Sequence, residues 1–162
     1  MLLATLFGGL IKGPSRAGKR RPDPWRTFVP RLDALEDRTL PSILTVTNLR
    51  DTGIAGDDSL RGEIAVAQAG DTINFQPGLH GSILLGSTLT LTKNVIIQGN
   101  LDASGNPLVS VDGQHQVRDF FVNTGVAASL IDLGIRDGFV PGTDVGQGGG
   151  ILNQGTLTVQ SC

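Results

Sequence analysis

From residue 44 to residue 160 the chain is a succession of short runs in which apolar and polar residues alternate, and that pattern fits strands and little else. Leu44-Thr-Val-Thr47, Thr72-Ile-Asn-Phe75 and Thr88-Leu-Thr-Leu-Thr92 alternate strictly. Further runs lie at 94–98, 108–111, 119–122, 129–136 and 156–160, all rich in Val, Ile, Leu and Thr. Gly, Asn or Asp separates them, as in Gly99-Asn100, Gly105-Asn106-Pro107, Asp112-Gly113, Asn123-Thr-Gly125 and Asp137-Gly138. These residues tolerate positive φ, so the separators are turns with a mechanism. Glycine supplies 23 of the 162 residues and Tyr is absent, as suits an all-β chain with many tight turns.

A sandwich also has many short strands, but here similar segments recur at long intervals. Leu130-Ile-Asp-Leu133 resembles Leu157-Thr-Val159 at an offset of 27, and Ile96-Ile97 is followed by Phe120-Phe121 at an offset of 24. Such intervals fit coils of three short strands stacked as a right-handed parallel β-helix, a solenoid. One segment breaks the alternation. Residues 58–69 read as a helix, N-capped by Asp58 or Ser59 and closed by Gly70, with Leu60, Ile64 and Ala67 on one face. Gly62 costs about 1 kcal/mol inside a helix, so packing must hold this one. It is expected to cap the open interior of the first coil, with Ile64 as the sealing residue.

Charge divides the chain at about residue 42. Residues 1–42 carry eight basic and four acidic groups, while 43–162 carry five and eleven, for a net −2 overall. The basic excess lies among Gly13, Pro14, Pro22, Pro24 and Pro30, where too little apolar surface exists to order the chain. Residues 1–42 are therefore expected to form a disordered apolar and basic leader or sorting region ahead of a 43–162 solenoid domain. Met1 to Ile11 has the length of a signal-peptide apolar region, but its charges follow rather than precede it. No apolar run reaches a membrane span, and the charge balance excludes a globally basic nucleic-acid binder.

Two resemblances add to this reading. The segment Val29-Pro-Arg-Leu-Asp-Ala-Leu-Glu-Asp-Arg-Thr-Leu-Pro-Ser42 resembles the "LEALEDR" element near the start of large exported proteins of planctomycete-type bacteria, with Asp33 where Glu is usual. Thr45-Val-Thr-Asn-Leu-Arg-Asp-Thr-Gly, Asp58-Ser-Leu-Arg-Gly-Glu-Ile and Gly70-Asp-Thr-Ile-Asn-Phe75 together resemble the opening of secreted right-handed β-helix proteins. Gly148-Gly-Gly-Ile-Leu-Asn-Gln-Gly-Thr-Leu-Thr-Val-Gln-Ser-Cys162 is similar to their repeat. Phe120-Phe-Val-Asn123 and Gly148-Gly-Gly-Ile151 resemble repeat elements of chlamydial polymorphic outer-membrane proteins. The resemblance implies a secreted or cell-surface, adhesin-like protein whose partners are cell-envelope components or extracellular glycans. The alternation at 156–160 is still running where the chain stops, so a longer protein is expected, with further chain stacked on the last coil.

Catalytic, metal and cofactor residues are sought and none is assigned. The Gly-rich stretch 142–150 lacks the Lys-Ser/Thr and helix start of a phosphate loop, and reads as a turn between coils. β-Helix lyases and hydrolases use surface carboxylates, and an N-terminal part of such an enzyme is the alternative reading. Asp132 and Arg136 would face outward on one strand but about 13 Å apart. Asp112, Asp119 and Asp137 lie at strand ends, where turn roles are commoner. His80 and His115 have no second ligand at metal spacing, and Ser104 and Ser110 no nucleophile context. Cys162, the sole cysteine, reads as a small buried filler.

Overall fold

The computed structural model describes residues 40–140, 142 and 147–162. Expectations for the leader at 1–39, including most of the LEALEDR-like element, and for 141 and 143–146 of the Gly-rich stretch lie outside them. Among the described residues eleven strands form three parallel sheets. The longest, in order, is β1 (Ile43–Val46), β2 (Thr72–Phe75), β5 (Val95–Gln98), β8 (Ala127–Ile131) and β11 (Thr156–Gln160). The second is β3 (Gly81–Leu84), β6 (Val109–Asp112) and β9 (Gly134–Arg136). The third is β4 (Leu89–Leu91), β7 (Phe120–Val122) and β10 (Ile151–Asn153). The chain visits the three sheets in rotation, so β2-β3-β4, β5-β6-β7 and β8-β9-β10 are successive coils of an all-β parallel β-solenoid.

Register produces the core. Leu44, Ile73, Ile97, Leu130 and Val159 stand in one inward column, because each pairs with the next across the long sheet. Ile83, Val111 and Ile135 form a second column, and Leu89, Phe120 and Ile151 a third. Ile73, Ile97, Leu130, Val111 and Phe120 are fully buried. Each buried aliphatic or aromatic side chain contributes roughly 1.5–3 kcal/mol. Alternation thus becomes stacking: one residue in two faces the shared interior.

The intervals differ from those the sequence suggests. Leu130 pairs with Val159, and Leu157 with Ala128, so the true offset is 29. The 24-residue interval is real between Thr72 and Ile96, and between Ser110 and Gly134. It does not join Ile96-Ile97 to Phe120-Phe121, which lie in different sheets; Phe120 pairs with Leu89 and Ile151. The cause is unequal turns. Residues 76–80 join β2 to β3, only 132–133 join β8 to β9, and 99–108 join β5 to β6 through a bridge between Leu101 and Pro107. The run 129–136 is accordingly two strands, broken where Asp132 takes φ 54°.

The helix, α1, spans Leu60–Val66, shorter than the expected 58–69. Ser59 is its N-cap, its Oγ accepting from the Gly62 N–H at 3.1 Å, and Ala67 rather than Gly70 ends it. Asp57 Oδ1 holds Ser59 in turn, while Glu63 Oε1 accepts from the Asp58 N–H at 3.1 Å. At the other end Lys93 Nζ donates to the carbonyls of Ala65 and Ala67. Leu60 and Ala67 are fully buried in the common core, whereas Ile64 is only half-buried. The apolar seal is therefore chiefly Leu60, at the inner end of the face, while Ile64, one turn further on the same face, packs against the core only in part. Gly62 is required by space: a Cβ there would lie 2.6 Å from the Ile54 carbonyl oxygen and collide with Asp57.

Candidate functional site

The outward residues of the long sheet line up as strictly as the inward ones. One row is Ile43, Thr72, Ile96, Ser129 and Thr158; the next is Thr45, Asn74, Gln98, Ile131 and Gln160. Both rows are uncharged. Where the second row meets the turn at 99–100, Thr45, Asn74, Gln98, Asn100 and Pro77 line an open groove of about 270 Å³. Asn100 is fixed there by its Nδ2, which donates to the Phe75 carbonyl at 3.0 Å. Asn74 Oδ1 is enclosed without a hydrogen-bond partner. Such a face offers hydroxyl and amide groups, interrupted by Ile43, Ile96 and Ile131, and no ionisable side chain.

Charged chemistry is concentrated instead at the corner between the second and third sheets. Arg136 Nη2 meets Asp112 Oδ2 at 3.0 Å and Ser82 Oγ at 2.8 Å. Asp112 Oδ1 also accepts from the Gln114 N–H at 2.8 Å, so this carboxylate is answered on both oxygens. His115 Nε2 lies 3.5 Å from Asp137 on the surface. Asp119, beside them, is 0 % exposed, and neither carboxylate oxygen has a partner. Burial first, then repulsion by Asp112 and Asp137, pushes its pKa up to about 7. The Gly113 amide offsets some of that, but its N–H is bonded to the Arg136 carbonyl at 3.1 Å. Asp119 makes no turn-shaping hydrogen bond: its carboxyl is enclosed, with the backbones of Gly113 and Gly138 closest to it.

The other residues weighed from sequence fall in separate places. Asp132 occupies a turn and Arg136 a strand of another sheet, so they do not share a face; the partner of Arg136 is Asp112. The signal was present, since Asp112 and Arg136 are 24 residues apart and register partners. His80 bonds the Gly78 carbonyl in its own turn. Ser110 faces Ser82 at 3.0 Å, and Ser104 donates its amide to Asp102. Cys162 is exposed rather than buried, its Sγ against the Leu130 and Gln160 carbonyls. The position lies just past β11, after Ser161 at φ 51°.

Sequence reasoning missed a clasp on the first coil. Asp51 takes Arg61 Nε at 2.6 Å, Arg61 Nη2 at 3.0 Å and the Gly86 N–H at 2.8 Å. The same guanidinium donates to the carbonyls of Ser87 and Thr88, which fixes the turn between β3 and β4. Among the described residues no three His, Cys, Asp or Glu side chains could jointly hold a metal ion, and no helix is long and apolar enough to cross a membrane. No protein-family profile, curated protein or solved structure matches the chain.

Proposed function

We propose that this protein is an exported, cell-surface structural or adhesive β-solenoid, and that the described segment carries no catalysis of its own. The observation that carries this reading is the uncharged outward face of the long sheet, continuous over five strands and rich in Thr, Ser, Asn and Gln. A rigid core with columns of hydroxyl and amide groups suits many weak contacts to a neutral glycan or envelope polymer better than a single chemical step. The carboxylates support it too. Asp57, Asp71 and Asp102 are held below the usual range by hydrogen bonds that shape turns, chiefly from Ser59, Gln68 and Asn106. Asp119 is enclosed away from any substrate.

The test is co-sedimentation of the full chain with peptidoglycan sacculi and with an insoluble neutral glucan. Pelleting with at least one, reduced about tenfold by an Asn74→Arg, Gln98→Asp double variant, is expected. Pelleting with neither, or equal pelleting of both proteins, overturns the adhesive reading. Export is tested separately: a reporter fused to residues 1–42 must leave the cytoplasm of the native host. Release of unsaturated product from polygalacturonate, lost in Asp112→Asn, would replace this reading with that of a lyase.

A further inference from the structure

The enclosed carboxyl of Asp119 is the group the fold explains least. Buried polar groups are normally satisfied, and an unpaired one needs a reason. Around it the backbones of the second and third coils close in. A Cβ at Gly138 would strike both Asp119 Oδ2 and the Gly149 carbonyl, and one at Gly113 would lie 3.0 Å from Asp119 Oδ1. Backbone hydrogen bonds cross the same seam, from Phe120 N–H to the Gly150 carbonyl at 2.9 Å and from Phe139 N–H to the Val117 carbonyl at 2.8 Å.

We propose that Asp119 is a proton-operated clasp between the second and third coils, closed while the carboxyl is neutral and forced open when it ionises. Among the described residues no charged side chain bonds either oxygen, so the ionised form is left unanswered. At the end of β6, Asp112 is negative and already bonded to Arg136, the cation from β9. Asp137, at the next turn, is negative and faces His115, which points to solvent. Arg118 precedes Asp119, and its Nη2 is buried without a hydrogen-bond partner, so it reaches neither Asp119 oxygen. Its Nε is bonded to the Gly148 carbonyl at 2.8 Å. Gly113, Gly138, Gly149 and Gly150 bring only backbone.

The raised pKa supports this geometry and sets the direction. A carboxyl with a folded pKa near 7 and an unfolded one near 3.9 holds more protons folded than unfolded between those values. Stability from this group is therefore complete below about pH 4 and is lost as pH rises through about 7.

Thermal unfolding of the full chain at pH 5, 6, 7 and 8, at fixed ionic strength, tests the clasp. The midpoint should fall by roughly 5–10 °C from pH 5 to pH 8. Asp119→Asn should flatten the profile and exceed the unsubstituted protein at pH 8. Glu63→Gln, which removes another carboxyl raised by burial, should keep the fall. Should Asp119→Asn not fold, Asp137→Asn serves: losing that neighbouring charge should move the fall to lower pH. At pH 8, hydrogen exchange corrected for base catalysis should be faster at the Phe120 and Phe139 amides and unchanged in β2. A flat profile in the unsubstituted protein, an undiminished slope in Asp119→Asn, or uniform loss of protection overturns the proposal. So does recovery of the midpoint at pH 8 by millimolar calcium, which would make Asp119 a cation ligand.

Discussion

Asp71, below the first coil, and Asp119, at the corner of the second and third, are enclosed to nearly the same degree, at 2 % and 0 % exposed. Their acidities move in opposite directions. Asp71 accepts from the Ser42 and Gln68 N–H groups, both at 2.7 Å, and is held below the usual carboxylate range, first by the Gln68 amide. Asp119 has no donor committed to it and is pushed up. Burial alone therefore does not decide a carboxylate's charge; the supply of N–H groups does. The first-coil region supplies them through α1, its caps and the Asp51–Arg61 clasp. The later corner is built from glycine backbone that is bonded to itself.

The largest effect that can sharpen this contrast is at Leu60, the apolar seal of the satisfied region. Leu60→Ala should lower the unfolding free energy by about 2–5 kcal/mol, read by urea titration. Ile64→Ala should cost about 1 kcal/mol, since that side chain is only half-buried. Equal losses would mean that the helix does not seal the coil as its burial pattern states. Next in size come two glycines, one in each region. Ala is the better helix former by about 1 kcal/mol, yet Gly62→Ala should still destabilise, by about 1–3 kcal/mol, because its Cβ meets the Ile54 carbonyl and Asp57. Gly138→Ala should cost a similar amount and should also weaken the pH dependence, by prising Asp119 toward water. A gain in stability at Gly62 would show that the turn before α1 yields freely, and the contrast in rigidity would fail.

A smaller effect carries the sign of the comparison. Asp71 has a lowered pKa, so its stabilisation is present above the unfolded value near 3.9 and is lost as pH falls below it. That slope is opposite to the one at Asp119. Asp71→Asn should have the lower midpoint at pH 7, because an amide cannot accept from both N–H groups. The difference should close as pH drops toward 3. A constant gap between pH 7 and pH 3 would show that Asp71 acts by shape and not by charge.

Much of the solenoid was legible before any coordinates. Thr72–Phe75 and Thr156–Gln160 were readable to the residue, because strict alternation there runs unbroken between turn residues. Gly81–Leu84 was not, since Gly-Ser-Ile-Leu alternates too weakly and owes its strand to register with β6. The coil interval was blurred because the three turns between the first two sheets differ in length. Asp119 was misjudged for a related reason. A strand-end Asp usually faces a turn, and only the close backbones of Gly113 and Gly138 show that this one is enclosed. Likewise Asp51 and Arg61 are ten residues apart in a stretch with no periodic signal, so their pairing required the fold.

The smallest expected effect tests whether backbone or side chain supplies the donors that distinguish the two regions. Gln68 stands beside Asp71, and its side chain is exposed. What it gives Asp71 is its main-chain N–H, at 2.7 Å. The side-chain amide reaches only the Val66 carbonyl, at 3.2 Å in open solvent, where water replaces it readily. Gln68→Ala keeps the N–H and should change stability by no more than about 0.5 kcal/mol, with the acid limb of the profile unmoved. A loss well beyond that, or a shift of the acid limb, would place the Gln68 side chain among the groups that hold Asp71 ionised. The contrast with Asp119 would then rest on side-chain chemistry that any exposed residue could supply, and not on the backbone donors of the first coil.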